Sequence, residues 1–514
     1  MTERSLARAA LVVGLGSAGS RVLGLVRELV IAALFGATAP TDAFRAAFRV
    51  PLALYDLIVG GMVSSALVPT FASYLARNDE ASLRRAVNAV GALLLVALVI
   101  IAVAVGVWAV PIMDALGAGY DAAVRAQSVD LLRVMLPALV FMGATGLLSA
   151  LLYAQDRFLP PALALTCFNA GVVVTAFVLH PAFGVLSLAF GVVTGALLQA
   201  ALQLWALRGW FTSLTLSFRH PAVRHVLGLY TPVALGLIVS TLTIAIDTNL
   251  ASRTGEGSLA AMGFATTLVQ LPLGLVATGV STAALPRLAR SAGIAGDTLM
   301  QYKRALVEGL RIVLLMILPA AVGLVLLREP VIRLLFERGA FDEAATARTA
   351  LAFLAYAPGL PAAALDQVLV NGYYARQDTR TPVIVGVLAV VVYLVSALLL
   401  LEPLGMPGLA LANSLQWTSH LLMMVLLTHR SLGGLSGFDL GGTALRALLA
   451  VAVMAGVVFL AAAALQTEEI RGLPALLALV AGLGVLGATV YAGALAVLGR
   501  KDLRLLTGAL RRGG

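Results

Sequence analysis

Long apolar runs, each about the length of a bilayer crossing, alternate with short polar connections along the whole chain. About fourteen can be delimited, centred in 10–34, 52–75, 88–112, 129–153, 160–180, 184–207, 228–251, 260–285, 308–328, 346–373, 382–401, 407–428, 444–465 and 473–498. A helix needs about 20 apolar residues to cross the hydrocarbon core. Backbone groups in lipid must be satisfied internally, so runs of Ala, Leu and Val predict helices. The short alternating segments of a membrane β-barrel are missing. The pattern therefore predicts an all-α polytopic membrane protein. Composition agrees: of 514 residues, 61% are hydrophobic and 12% charged, and the mean hydropathy is +0.99. Soluble chains run at roughly 45–50% apolar and about 25% charged. The first run follows Arg4 and Arg8 and continues past Arg21 and Arg27 to about Leu34 without a small-residue cleavage site, which reads as a retained span rather than a signal peptide.

The polar connections fix an orientation. One alternate set carries 23 of the 35 basic residues, among them Arg77, Arg84, Arg85, Arg157, Arg219, Arg287, Arg290, Arg376, Arg380 and Arg500; the opposite set carries seven. Positive loops face the cytoplasm, so both termini are expected there, which requires an even number of spans. This topology also explains the net charge of +10 without nucleic acid. Cys167 is the single cysteine and cannot form an internal disulfide; the five histidines show no metal-ligand spacing. No nucleotide-binding loop, hydrolase triad or large extramembrane domain is visible, which favours a transporter over an enzyme.

The chain repeats itself. Residues 66–100 resemble 283–317, and 151–174 resemble 372–392. The separations Pro69 to Pro286, Tyr153 to Tyr374 and Gln155 to Gln377 are 217, 221 and 222. The unit is about six spans, predicting an N-lobe at 1–207, a C-lobe at 208–430, and two extra spans with a basic tail at 431–514. An even-span repeat keeps its orientation and is expected to enclose a cavity between two similar bundles.

Ionisable residues inside apolar runs cost about 2.5–3.5 kcal/mol or more and usually serve a wet or protein-lined interior. They concentrate in Ser20–Pro69, which holds Arg21, Arg27, Glu28, Asp42, Arg45 and Arg49. Arg21 and Glu28 are seven apart and share a helix face. Arginine forms bidentate bonds to phosphate, so Arg27 with Arg21, Arg45 or Arg49 can hold an anionic head group; the alternative is that these arginines pair with Glu28 and Asp42 to fix packing. Asp42 reads equally as a helix cap or a gate. Asp247, beside Thr248 and Asn249, can hold Na⁺, carry a proton, or join an interface cluster. Arg133 is expected to reach the outer surface. QDRFLPP (155–161) and RQDTRTP (376–382) read as tight turns that start helices, and LFERGAF (335–341) as an outer turn.

The segments SRVLGLVRE, TDAFRAAFRVP, SSALVPTF, LFERGAF and YYARQDTRTPV resemble the MurJ (MviN) family of the multidrug/oligosaccharidyl-lipid/polysaccharide exporter superfamily, from about residue 10 to the C-terminus. The resemblance implies a lipid II flippase of the bacterial cytoplasmic membrane. It would move the undecaprenyl-pyrophosphate-linked peptidoglycan precursor by alternating access, as a monomer among membrane lipids or with cell-wall synthesis proteins. It implies two six-span lobes and two further spans that form a groove for the lipid tail. It places family positions on Arg21, Arg27 and Asp42. Where members typically carry basic residues this chain has Tyr55 and Asp56; where they carry an acidic-plus-arginine pair it has Thr266 and Thr267; a family glutamate falls on Gln270. The sodium-site aspartate of some members falls on Asp247, with the span-11 positions near Tyr393 and Ala397. No cofactor is implied beyond Na⁺ or proton coupling. The expected substrate-binding set is Arg21, Arg27, Glu28, Asp42, Arg45, Arg49, Tyr55, Thr267 and Gln270. Alternative readings are a carrier of another polyprenyl-linked glycan or amphiphile, and a non-transporting scaffold of envelope synthesis.

Overall fold

A computed structural model describes residues 3–208, 210, 220–277, 279, 288, 296–435, 437–467 and 470–512, leaving aside the side chains of 3–15, 17–18, 232, 235, 277, 296–297 and 509–512. Arg219, Arg287, Arg290 and Pro286 lie outside these residues. The described chain is helical throughout, with no strand. Among the described residues, eleven helical segments are long and apolar enough to cross a membrane, and twelve if a helix bent by 60° between Pro221–Thr231 and Gly236–Ser252 is one span. Two more helices have the length, Glu3–Phe35 and Met406–Ser431. The second falls short in apolarity because its middle carries Asn413, Ser414, Gln416, Thr418, Ser419 and His420. Counted by length these come to fourteen, roughly in line with the apolar runs; by length and apolarity together they are eleven or twelve.

Contacts divide the chain into two compact units. The first comprises Met1–Ala260 with Gly339–Phe341. It contains α1 (Glu3–Phe35), α2 (Ala39–Tyr55), α3 (Val68–Ala76), α4 (Glu80–Val107), α5 (Ala109–Leu116), α6 (Ala122–Ala154), α7 (Leu159–Phe183), α8 (Leu186–Ala206), α9 (Pro221–Ser252) and the start of α10 (Ser258–Pro272). Two short π-helical stretches, Asp56–Gly60 and Val63–Leu67, join α2 to α3, so that 39–76 runs as one irregular 38-residue crossing. Buried α6 packs against α2, α4 and α8, and α1 lies on α7. The end of α9 is pinned here: Asn249 Nδ2 donates to the Ala115 carbonyl at 2.5 Å and Gly119 N–H donates to Ser252 Oγ at 3.0 Å.

LFERGAF contributes backbone to this unit. Ala340 N–H donates to the carbonyl of Ala33, near the end of α1, at 2.8 Å. Gly36 and Gly339 sit at φ +65° and +63°, and a Cβ on either would stand 2.3 or 2.2 Å from a backbone oxygen of the facing segment. Both the left-handed backbone and the close approach demand glycine.

The second unit comprises Ala261–Arg338 and Asp342–Gly514. It holds the rest of α10, then α11 (Gly296–Leu326), α12 (Arg328–Leu335), α13 (Glu343–Tyr356), α14 (Leu360–Ala375), α15 (Arg380–Leu404), α16 (Met406–Ser431), α17 (Leu440–Ala464), α18 (Leu473–Leu498) and α19 (Arg500–Arg512). A one-turn 3₁₀ stretch, Ala357–Gly359, links α13 to α14.

The repeat is legible in the backbone. Helices α7 and α15 begin at Leu159 and Arg380 and end at Phe183 and Leu404, each pair 221 apart. Each is entered through a turn with a non-glycine residue at positive φ, Asp156 (+57°) and Gln377 (+61°). Each leaves through a glycine, Gly184 (+52°) and Gly405 (+60°), whose N–H donates to His180 and Leu401 respectively. Asp156 and Gln377 are therefore the equivalent residues, one place off the Gln155–Gln377 match. In the second turn the Asp378 side chain accepts from the N–H of Arg380 and Thr381 and from the Thr381 hydroxyl. These bonds, the Thr381 hydroxyl first, hold its carboxyl below the ordinary range.

A charged cluster in the first unit

Glu28 organises the site. It lies on α1, is buried, and accepts from two guanidinium groups: Arg27 Nη2 on Oε1 at 3.0 Å and Arg45 Nη2 on Oε2 at 2.6 Å. Arg27 also donates through Nη1 to Asn169 Oδ1 on α7 at 3.1 Å, and Asn169 Nδ2 donates to the Ser20 carbonyl at 3.3 Å. The cluster thereby links α1, α2 and α7. Two guanidinium groups on one carboxylate carry a net positive charge, in a setting where an isolated ion would be expensive. Arg27 keeps 26% of its side chain exposed while Glu28 keeps 9%, so the cationic fork is reachable and its carboxylate is not. The Arg27 and Arg45 bonds each use one of five guanidinium N–H donors per contact.

A second pair joins α2 to α9. Arg49 Nη1 donates to Asp247 Oδ2 at 2.9 Å and to Thr248 Oγ1 at 2.7 Å. One turn before Arg45, Asp42 is fully buried, and its two carboxylate oxygens accept from Gly257 N–H and Ala260 N–H at 2.7 Å each. It does cap a helix, but α10 rather than its own; the N-cap position of α2 is Thr38. Both amides belong to the positive N-terminal end of α10, which favours an anion.

The remaining predicted residues are not gathered on Glu28. Arg21 is exposed on α1 and Tyr55 half-buried at the end of α2. Thr266, Thr267 and Gln270 lie on α10 in the second unit; the two hydroxyls donate to the carbonyl of Gly263, 2.8 and 3.1 Å away, and Gln270 is exposed. Asn169 escaped the sequence reading. Its signal is a lone amide inside the apolar run LTCFNAGVVV, where an unmet polar group is costly. Among the described residues no group of three His, Cys, Asp or Glu side chains is placed to hold a metal ion.

Residues 31–477 match the family described as Lipid II flippase MurJ. The Lipid II flippase MurJ of Burkholderia cenocepacia is 32% identical over 94% of this chain and 95% of its own. This chain belongs to the MurJ family. A probable lipid II flippase MurJ of Haemophilus influenzae is 33% identical over 78% of this chain and 81% of its own. A solved structure described as Lipid II flippase MurJ in an inward closed conformation aligns with a TM-score of 0.81 at 22% identity, over 96% of this chain and 100% of its own. An inward-facing multidrug resistance MATE transporter of the MOP superfamily aligns at 0.67 and 15% identity, over 81% and 95%. These structural likenesses show the fold. The MurJ fold is that of a transporter.

Proposed function

We propose that this MurJ-family protein moves lipid II, a lipid-linked peptidoglycan precursor, across the bacterial cytoplasmic membrane by alternating access, with both termini in the cytoplasm and as a monomer. The observation that carries the reading is the Arg27–Glu28–Arg45 cluster, an excess of guanidinium held on membrane-length helices. At rest the two arginines share Glu28. A pyrophosphate offers more acceptor oxygens and draws the forks away, and Glu28 takes them back on release. Each charge-assisted bond contributes roughly 1.5–3 kcal/mol. Arg49 and Arg21 extend the basic surface, and Asp42 acts by positioning α10. If Asp247 takes Na⁺ or a proton, it does so in competition with Arg49, which occupies the same carboxylate.

A second cargo, another polyprenyl-linked glycan, is favoured by one observation: Tyr55, Thr266, Thr267 and Gln270 are neutral at positions where family members typically carry charge. Two measurements decide. Expression in a strain depleted of its lipid II flippase should restore growth, and failure at every expression level rejects lipid II as the cargo. Binding of lipid II compared with other polyprenyl-pyrophosphate sugars by the purified protein separates the two cargoes.

A further inference from the structure

The polar middle of α16 is unusual for a helix of membrane-crossing length, and most of its groups are accounted for locally. Ser414 Oγ donates to the carbonyls of Ala355 and Tyr356, and Thr418 and Ser419 return to carbonyls of their own helix. His420 differs. Its Nδ1 lies 2.8 Å from Asp366 Oδ1 on α14. The ring also faces the backbone carbonyl of Pro382 on α15, and its Nε2 stands 3.9 Å from where a Cβ on Gly386 of that helix would be. The two side chains are mostly buried, at 16% and 18% exposed.

Both ring nitrogens therefore face oxygen acceptors. A neutral imidazole has one N–H and one lone pair, whereas the imidazolium has two N–H donors. Only the charged ring satisfies the Pro382 carbonyl and an ionised Asp366 together. The neutral ring keeps its one proton on Nδ1, against the carboxylate, and gives up the proton on Nε2, so loss of the charge keeps the bond to Asp366 and leaves a lone pair on the α15 side. We propose that Asp366 and His420 form a proton-binding site within the membrane-spanning part of the second unit, holding one exchangeable proton on the His420 ring.

The repeat supplies an internal control. The residues 221 positions earlier are Thr145 on α6 and Gln199 on α8, both buried and neutral. The first unit packs the equivalent helices together without an ionisable group at either place. Replacing a buried charged pair by neutral side chains is often neutral or stabilising, so helix packing does not require the pair, and an intramembrane acid–histidine pair is suited to proton exchange. The other ionisable side chains on the elements packed around α16 include Arg348 and Tyr356 of α13, Tyr373 of α14, and Arg380 and Tyr393 of α15. Tyr356 lies against the ring of Trp417, Tyr373 meets Thr428, and Tyr393 is buried. Asp366 supplies the carboxylate that bonds the ring.

The test uses the full chain, ¹⁵N-labelled at histidine, in lipid nanodiscs without any lipid-linked cargo, so its outcome is independent of the transport reading. Nitrogen NMR follows the ring from about pH 5 to about pH 9, the range in which histidine exchanges a proton, with His420 assigned by loss of its signals in His420→Gln. The expected result is a ring with both nitrogens protonated at the acid end and one reversible proton loss within the range. Asp366→Asn should leave the ring neutral at a pH where the wild type is charged, and Asp366→Glu should retain the charged ring. A ring that stays neutral throughout, a ring that never releases the proton, or a charge state unaltered by Asp366→Asn overturns the proposal. If Asp366→Asn fails to fold, the wild-type titration and Asp366→Glu decide it.

Discussion

Two buried carboxylates in this protein each hold two arginines. Glu28 in the first unit accepts from Arg27 and Arg45, and Asp502 in the second accepts from Arg311 and Arg446 at 2.6 Å each. The surroundings differ. Asp502 also accepts from the Thr443 hydroxyl at 3.0 Å, and Arg446 reaches a second carboxylate, Asp439, at 2.7 Å. Two acids then balance two arginines, and the Asp502 side chain is fully buried. Gly499 makes room: a Cβ there would stand 2.8 Å from Asp502 Oδ2 and from Arg446 Cδ. That arrangement staples α19 to α11 and α17. Around Glu28 two arginines share one carboxylate, and Arg27 also meets the neutral amide of Asn169. One trio is backed by a second acid and staples three helices; the other is the one to which the proposed function assigns an anion.

The largest expected effect falls on the staple. Asp502→Ala leaves two arginines without their shared carboxylate and should cost about 3–5 kcal/mol, read as a lower melting temperature of the purified protein. The same group predicts acid sensitivity. Burial would raise the Asp502 carboxyl, but the hydrogen bonds from Arg446, Arg311 and Thr443 outweigh it and hold it below the ordinary value. Its folded value is thus below its unfolded one of about 4. The contribution is complete above that pH and is lost as pH falls below it toward the folded value. An Asp502→Asn variant should therefore show a flatter stability profile below about pH 4.

Arg27→Ala should split the two trios. Loss of one charge-assisted bond, roughly 1.5–3 kcal/mol, weakens binding of a pyrophosphate-bearing lipid by about 10- to 150-fold. Melting should shift much less than for Asp502→Ala. A large melting loss with unchanged binding would make the Glu28 trio a second staple and end the contrast. Asn169→Ala removes one neutral acceptor and should cost about 1 kcal/mol in stability, with a smaller effect on binding than Arg27→Ala. The smallest effect belongs to Asp439→Asn, because that acid is largely exposed. It should change stability by about 0.2–1 kcal/mol and diminish in high salt; a larger change would mean that Asp439 is essential to the balance at Asp502.

How much of this was visible beforehand follows from what each kind of residue can signal. The helices could be read because lipid demands long apolar runs, and the repeat because turns such as QDRFLPP and RQDTRTP conserve an uncommon backbone shape. Ser20–Pro69 stood out because charge is rare in such surroundings. Partner choice did not stand out. Glu28 could have paired with Arg21, seven residues away on the same face, yet it holds Arg27 and Arg45. Asp42 read as a cap for its own helix, yet it caps one that begins 216 positions later. Asp366 and His420 are 54 apart and carry no local pattern; only the packing of α14 on α16 brings them together.

By itself, then, the sequence determined the all-helical membrane class and the internal repeat, since these depend on composition and period along the chain. The tertiary structure decided which charges meet. A carboxylate bonds whichever guanidinium or amide packing delivers within about 3 Å, and that distance is set by the crossing of distant helices. For this reason Ser20–Pro69 announced an arginine-rich site, while Glu28 as its shared anchor, Asn169 as its support and Asp502 as its balanced counterpart emerged only from the folded chain.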